Sequence, residues 1–443
     1  MAFSSRLAPA DVFPTLDRSI LADGFRIVLD LQASHGADLV DALTGEHYLD
    51  LFSFFASNAL GMNHPGLTDA ETLAELAQIA IHKPSNSDVY TIAMAEFVDT
   101  FRRVLADPRL PHYFFIEGGG LAIENALKVA FDYKSRLNES RGKSSELGTQ
   151  IMHLQYAFHG RTGYTMSLTN GAPVKIARYP KFAWPRITSP YAGTMRDGTP
   201  RDVPALEAQA IAEAQAAFDA YGDDIAAFIC EPIQAEGGDH HLRPEFLQEI
   251  ERIVHEHEAL FIVDEIQTGV GMTGTTWAYQ QLGLSPDIVA FGKKTQVCGI
   301  MAGGLVDNVP DNALVTSGRL NSTWGGNLTD MVRARRIMEI VEADHLVERA
   351  AELGAWLLDR LRELAAKHPT LMTDPRGRGL LCAFSLPSGE VRAEFFDRLM
   401  EHHVMMIGSG DRTVRFRPAL TITQDDLTRG LEAIDAVLKE MTR

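Results

Sequence analysis

Phe261-Ile262-Val263-Asp264-Glu265-Ile266-Gln267-Thr268-Gly269, followed some twenty residues later by Ile288-Val289-Ala290-Phe291-Gly292-Lys293-Lys294, decides how this chain is built. Both segments open as short, continuously apolar runs without alternation, the pattern of strands buried on both faces of a mostly parallel sheet. Both then stop abruptly in polar residues. Ligands of such sheets collect beyond the carboxyl ends of the strands, so Asp264 and Lys293 fall where chemistry is expected.

The same texture extends outward. Tyr113–Ile116, Ile151–Leu154, Ala226–Cys230, Leu260–Val263 and 287–291 read as strands. Leu121–Tyr133, Pro204–Ala220 and Pro244–His257 read as the helices between them. A further helix over Asp69–Ile81 carries Thr68 and Glu71 at the spacing of a capping box. Residues 138–149 are polar and read as a loop. After about Asn327 the pattern changes to a long helical stretch, Met331–His368, then a strand at Leu380–Phe384, a helix near Ala393–His403, further strands and a terminal helix. The fold class is therefore α/β, a large unit with a mostly parallel central sheet plus a smaller α+β unit. Residues 61–327 are expected to form the large domain, 328–443 the small one, with 1–60 joining the small one.

Composition narrows the function. The 443 residues carry a formal net charge of −18, which opposes nucleic acid as the main partner. Apolar runs are too short to span a bilayer, and Met1–Phe13 lacks the basic and apolar regions of a secretory signal. The three cysteines, Cys230, Cys298 and Cys382, suggest neither a metal site nor a disulfide framework, so a reducing, cytoplasmic setting is expected.

An acid and a lysine at neighbouring strand ends suit an enzyme using pyridoxal 5'-phosphate. The lysine would hold the cofactor covalently, and the acid would keep its ring nitrogen protonated so that the ring draws electrons. Either residue alone reads more readily as a helix cap or part of a solvated Lys-Lys pair. A phosphate loop at Gly292-Lys293-Lys294-Thr295 is excluded, because Asp287 stands where its first glycine belongs. Four other segments add weaker signals. Glu117-Gly118-Gly119-Gly120, between strand and helix, can bring backbone N–H groups to an anion. Ala157-Phe158-His159-Gly160-Arg161 offers a ring for stacking and a guanidinium for a carboxylate. Asn321-Ser322-Thr323-Trp324-Gly325-Gly326-Asn327 is polar and glycine-rich. Arg415-Phe416-Arg417-Pro418 has room for at least one buried arginine near a carboxylate.

Taken together and in order, Phe158-His159-Gly160, Glu231-Pro232, Asp264-Glu265-x-Gln267-x-Gly269, Gly292-Lys293 and Thr323-x-Gly325-Gly326-Asn327 resemble the class III (ω-amino acid) aminotransferases over nearly the whole chain. Within the class the likeness is greatest to the lysine ε-aminotransferases, through Phe158–Asn170, Pro180–Ile187, Phe291–Gly299 and Arg319–Leu328. The resemblance implies a fold-type I enzyme and an obligate homodimer with active sites shared across the interface. By position, Lys293 forms the Schiff base and moves the proton, Asp264 pairs with the ring nitrogen, Gln267 lies near the phenolic oxygen and Phe158 stacks on the ring. Gly119 and Gly120 cradle the phosphate, reached also by Ser322 and Thr323, with Thr323 coming from the partner. The small residue before it favours Lys293 over Lys294.

The resemblance also implies two substrates, L-lysine and 2-oxoglutarate. Arg161 holds the distant carboxylate and Arg415 the near one. Glu236, in Gln234-Ala235-Glu236-Gly237-Gly238, pairs with Arg415 and swings away for the dicarboxylate. Asn321 is the candidate for a lysine-specific contact. One departure stands out: most members carry a hydroxyl residue and a Glu-Ala-Asn run where this chain has Gly118–Gly120 and Leu121-Ala122-Ile123. Amino donors such as 4-aminobutyrate, ornithine or another diamino acid remain open at this level. So do a racemase or aminomutase, and a non-catalytic relative on the same scaffold.

Overall fold

In the computed structural model, residues 7–195 and 198–442 are described; the first six residues of the Met1–Phe13 stretch fall outside them. The centre is a seven-stranded sheet. Its strands in chain order are β1 His112–Ile116, β2 Gln150–Leu154, β3 Arg186–Ile187, β4 Ile225–Cys230, β5 Leu260–Asp264, β6 Ile288–Phe291 and β7 Cys298–Ala302. They lie side by side as β1-β7-β6-β5-β4-β2-β3. All neighbours are parallel except at β7, which runs antiparallel to both β6 and β1.

The continuous apolar runs follow from the two-residue period of a strand. In β5, Leu260 and Ile262 join one buried cluster with Ile123, Ala126 and Leu127 of the helix Gly119–Ser140 (α1). Phe261 and Val263 point the other way, into a cluster with Phe246, Leu247 and Ile250 of the helix Pro244–Glu256. With helices on both faces every position must be apolar, and each such side chain contributes ~1.5–3 kcal/mol on burial. The register pairs Ala290 with Asp264, so β5 and β6 deliver Asp264 and the Gly292-Lys293 turn to the same edge.

A second core gathers Leu49, Leu51 and Leu60 with residues between Ile337 and Leu438. Around it stand a four-stranded antiparallel sheet (Thr373–Arg378, Leu381–Ser385, Thr413–Arg415, Ile407–Ser409) and three long helices. His47–Asp50 pairs in parallel with Val404–Met405, tying the two ends of the chain together.

Several local expectations are corrected. The helix near residue 70 spans Ala70–Ala80 and is capped by Asp69, whose carboxylate accepts from Thr72 N–H at 2.9 Å. Thr68 belongs to a preceding turn that Pro65 starts, so no Thr68/Glu71 box forms. Helix α1 begins at Gly119 and runs to Ser140, three residues into the stretch read as a loop. The segment read as one helix, Met331–His368, is two: Leu328–Ala343 and Leu346–Lys367. His345 turns the chain through a left-handed conformation (φ 50°) between them, which continuous apolar periodicity cannot signal. Among the described residues, no helix is long and apolar enough to cross a membrane.

Candidate active site

Asp264 ends β5 with only 6 % of its side chain exposed. A carboxylate so buried needs partners. The backbone N–H of Ile266 donates to Oδ1 at 3.1 Å, and Nδ1 of His159 meets Oδ2 at 2.8 Å. His159 is itself fully buried, and its Nε2 has no hydrogen-bond partner. Glu231, next to Cys230 at the end of β4, accepts from the N–H groups of Phe158 (3.0 Å) and Ala235 (3.1 Å). It thereby ties the Phe158 loop to the Glu236 turn. Burial, and then the nearby charge of Asp264, raise its carboxyl well above the ordinary range.

Beyond β6, Gly292 is extended and Lys293 adopts a left-handed conformation (φ 55°). That turn aims its amine back across the strand ends, where Nζ donates to the carbonyl of Phe55 at 2.9 Å. Burial, then the charges of Arg415 and Arg417, bring the Lys293 amine down to about 8 against the opposing pull of Asp264 and Glu236. Lys294 is buried and donates to the carbonyls of Gln267 (2.9 Å) and Ala56 (3.5 Å). Burial, with Lys293 beside it, brings its amine to about 7. Lys294 is committed to structural carbonyls, whereas Lys293 is the amine that feels Asp264, Glu236 and Arg415.

Arg415 ends the strand Thr413–Arg415 with 3 % side-chain exposure. Its Nη1 donates to Gln267 Oε1 at 3.3 Å, its Nη2 lies 3.8 Å from Glu236 Oε2, and its Nε has no partner. Burial, and then the charge of Arg417, lower its guanidinium to about 10. Arg417, fully buried, donates from Nε to the same Gln267 oxygen at 2.7 Å and pairs through Nη2 with Asp239. The arginine beside a carboxylate foreseen in Arg415-Phe416-Arg417-Pro418 is thus both arginines, on two different acids.

Gly119 and Gly120 open α1, where the first N–H groups have no intrahelical acceptor. Close packing explains the glycines: a Cβ on Gly119 would lie 3.0 Å from Ile266 Cδ1, and one on Gly120 3.2 Å from Thr162 Cγ2. Phe158 is partly covered; the Arg161 guanidinium stands 5.9 Å from its ring centroid. Arg161 is exposed and lines a cavity of about 860 Å³ with Glu124, Tyr164 and Lys175. Asn321, Ser322 and Thr323 are not drawn into this group by the hydrogen bonds of their own chain. The loop is pinned elsewhere: Ser87 Oγ donates to the Ser322 carbonyl and Ser85 Oγ to that of Thr323, both at 2.5 Å, while the Asn321 and Thr323 side chains stay exposed.

Sequence reasoning missed Asp239 and Lys175 entirely and gave His159 no role. Asp239 follows a pair of glycines like any turn acid, and only folding across 178 residues sets it on Arg417. Lys175 forms an ion pair with Glu236.

The residues present fit pyridoxal phosphate. A lysine amine lowered towards neutrality, a buried carboxylate held by a histidine, a partly covered aromatic ring and a helix N-terminus of two tightly packed glycines would supply its attachment, ring-nitrogen partner, stacking surface and phosphate seat.

Comparison with known proteins agrees. The family model described as Aminotransferase class-III matches residues 22–438. The L-lysine-epsilon aminotransferase of Mycobacterium tuberculosis is 57 % identical over 436 residues, 98 % of this chain and 96 % of that protein. The Streptomyces clavuligerus protein of the same name is 52 % identical, covering 96 % of this chain and 93 % of its own length. A solved lysine aminotransferase from M. tuberculosis in the internal aldimine form superposes with a TM-score of 0.95 at 57 % identity, over 98 % of this chain and 100 % of its own. On the strength of these matches and of the Asp264–Lys293 site, the chain belongs to the class-III aminotransferases, whose cofactor is pyridoxal 5'-phosphate.

Proposed function

We propose that this protein transfers the ε-amino group of L-lysine to 2-oxoglutarate, giving 2-aminoadipate 6-semialdehyde and L-glutamate. The observation that carries transfer from an ω-amino group is Arg415, buried and faced by Glu236 at 3.8 Å. Lysine presents its ε-end to the reacting centre, so methylenes lie where glutamate has a second carboxylate. A buried guanidinium facing methylenes alone would cost several kcal/mol, and a movable acid beside it removes that cost. The similarity to proteins named for the lysine ε-amino group supports the same donor.

Bound at Lys293, the cofactor supplies an electron sink for the pair released when a C–H bond at the reacting carbon breaks. Asp264, held by His159 and the Ile266 N–H, keeps a proton on the ring nitrogen. Lys293, once free of the cofactor, would take the proton from the ε-carbon as a neutral base, a state its lowered basicity makes accessible. Phe158 would stack on the bound ring, Gln267 would face its phenolic oxygen, and Gly119 and Gly120 would seat its phosphate. Arg161 takes the distant carboxylate of either substrate, and Arg415 the near one of glutamate. The two half-reactions alternate in a ping-pong cycle.

The reading includes a cytoplasmic homodimer in which the loop carrying Asn321, Ser322 and Thr323 completes the other subunit's site. The exposed side chains of Asn321 and Thr323 support that assignment. The division into 1–60, 61–327 and 328–443 belongs to the same reading, supported by the pairing of 47–50 with 404–405.

The test is a half-reaction. Holoenzyme mixed with L-lysine and no oxo acid is expected to release one cyclising aldehyde per site. If lysine gives none while 4-aminobutyrate or ornithine does, the donor is wrong and the family assignment stands.

A further inference from the structure

Glu236 is shared between two cations. One carboxylate oxygen lies 3.8 Å from Arg415 Nη2, and the other is in direct contact with Lys175 Nζ, the closer of the two. Lys175 sits on the short helix Pro173–Ile176, whose last carbonyl is held by Lys181 Nζ at 2.8 Å. Its ammonium also stands 5.5 Å from the centroid of Phe158, at the rim of the cavity that Arg161 lines. The Glu236 backbone is fixed, since its carbonyl accepts from Gly410 N–H at 2.9 Å. Only the side chain is left to move between the two charges.

We propose that Lys175 is a specificity-determining positioning residue: it receives the Glu236 carboxylate when a dicarboxylate claims Arg415. The proposal rests on the reading that Glu236 guards Arg415. Moving an acid off a buried guanidinium costs its pairing energy unless another cation takes it up. Arg415 is almost fully buried, whereas Lys175 and Glu236 each keep 24 % side-chain exposure. The carboxylate therefore passes from the buried cation to the more hydrated one, with a positive partner at both ends. Lysine needs Glu236 on Arg415; glutamate and 2-oxoglutarate need it on Lys175. Without Lys175 the balance shifts against the dicarboxylates.

The experiment uses holoenzyme carrying Lys175→Met. Its binding of glutarate, a dicarboxylate with no amino or oxo group to react, is measured by calorimetry beside both half-reactions. Glutarate is expected to bind about two- to fivefold more weakly, the scale of a partly exposed ion pair. The glutamate half-reaction should lose the same factor in KM, the lysine half-reaction should change less, and Lys175→Arg should restore most of the loss. In a Glu236→Ala background, Lys175→Met should leave glutarate affinity unmoved. Unchanged glutarate affinity in the single variant, or the same loss with Glu236 already removed, overturns the role of Lys175. Equal losses of both half-reactions in Glu236→Ala alone overturn the underlying guard, and the proposal with it.

Discussion

Replacing Asp239 by alanine should destabilise the ground beneath the active site far more than removing an ordinary turn acid. Asp239 and Arg417 are both fully buried. The carboxylate contacts Arg417 through Oδ1 and accepts from Ser409 Oγ at Oδ2, 2.7 Å away. Removing one partner of such a pair strands the other's charge, at about 3–5 kcal/mol. The second guanidinium, Arg415, also feels this acid, so the upper half of that range is expected. Two cores need not unfold in one step. The sensitive readout is therefore native-state hydrogen exchange at Phe416 and Arg417, whose N–H groups donate to Cys382 and Leu51 at 2.8 Å. A cost of about 3–5 kcal/mol corresponds to exchange faster by roughly two to four orders of magnitude. Asp239→Ala combined with Arg417→Met should recover much of it, because no lone charge remains. Exchange within a factor of five of the parent, or no recovery in the double variant, would refute the account. The pH dependence has a definite sign. Burial raises the Asp239 carboxyl, but Arg417 and Arg415 more than offset this and hold it below 3.8. Its contribution is complete above that value and lost as pH falls through the lower folded-state value.

Lys293→Ala should abolish turnover while the protein still binds pyridoxal phosphate, detected as cofactor retained after gel filtration but lost on denaturation even after borohydride treatment, which fixes it in the parent. Turnover near the parent rate would reassign the lysine. In apoenzyme, acetic anhydride labelling followed by mass spectrometry should modify Lys293 half-maximally near pH 8, the value to which burial brings it from 10.5; a midpoint with the surface lysines would contradict that burial. Gly237→Ala would place a Cβ 2.4 Å from the carbonyl oxygen of Tyr156, so the Glu236 turn must shift. About 1–3 kcal/mol of stability and a larger loss in the lysine half-reaction than in the glutamate one are expected; unchanged kinetics would show that the turn tolerates the displacement.

Much of the fold was legible because its signals are local. Unbroken apolar runs in β4, β5 and β6 can only be strands covered on both faces, and the polar residues after them mark the edge where a ligand sits. Asp264 and Lys293 were accessible to this reasoning, as were the close-packed glycines at 119 and 120. Where it failed, the competing signal was also local but stronger: Asp69 outbid Thr68 as a cap, and His345 broke a helix whose apolar period ran on.

The chain by itself determined the covered parallel sheet, the acid and lysine at its edge and the set of motifs that marks the family, because each is written within one strand and the turn that follows it. Tertiary structure alone decided how the charges are partnered. Asp264 with His159, Arg417 with Asp239, and Glu236 between Arg415 and Lys175 are contacts across 105, 178, 179 and 61 residues of chain. Desolvation gives those pairings their strength, and no pattern of neighbours along the sequence records which buried charge will meet which.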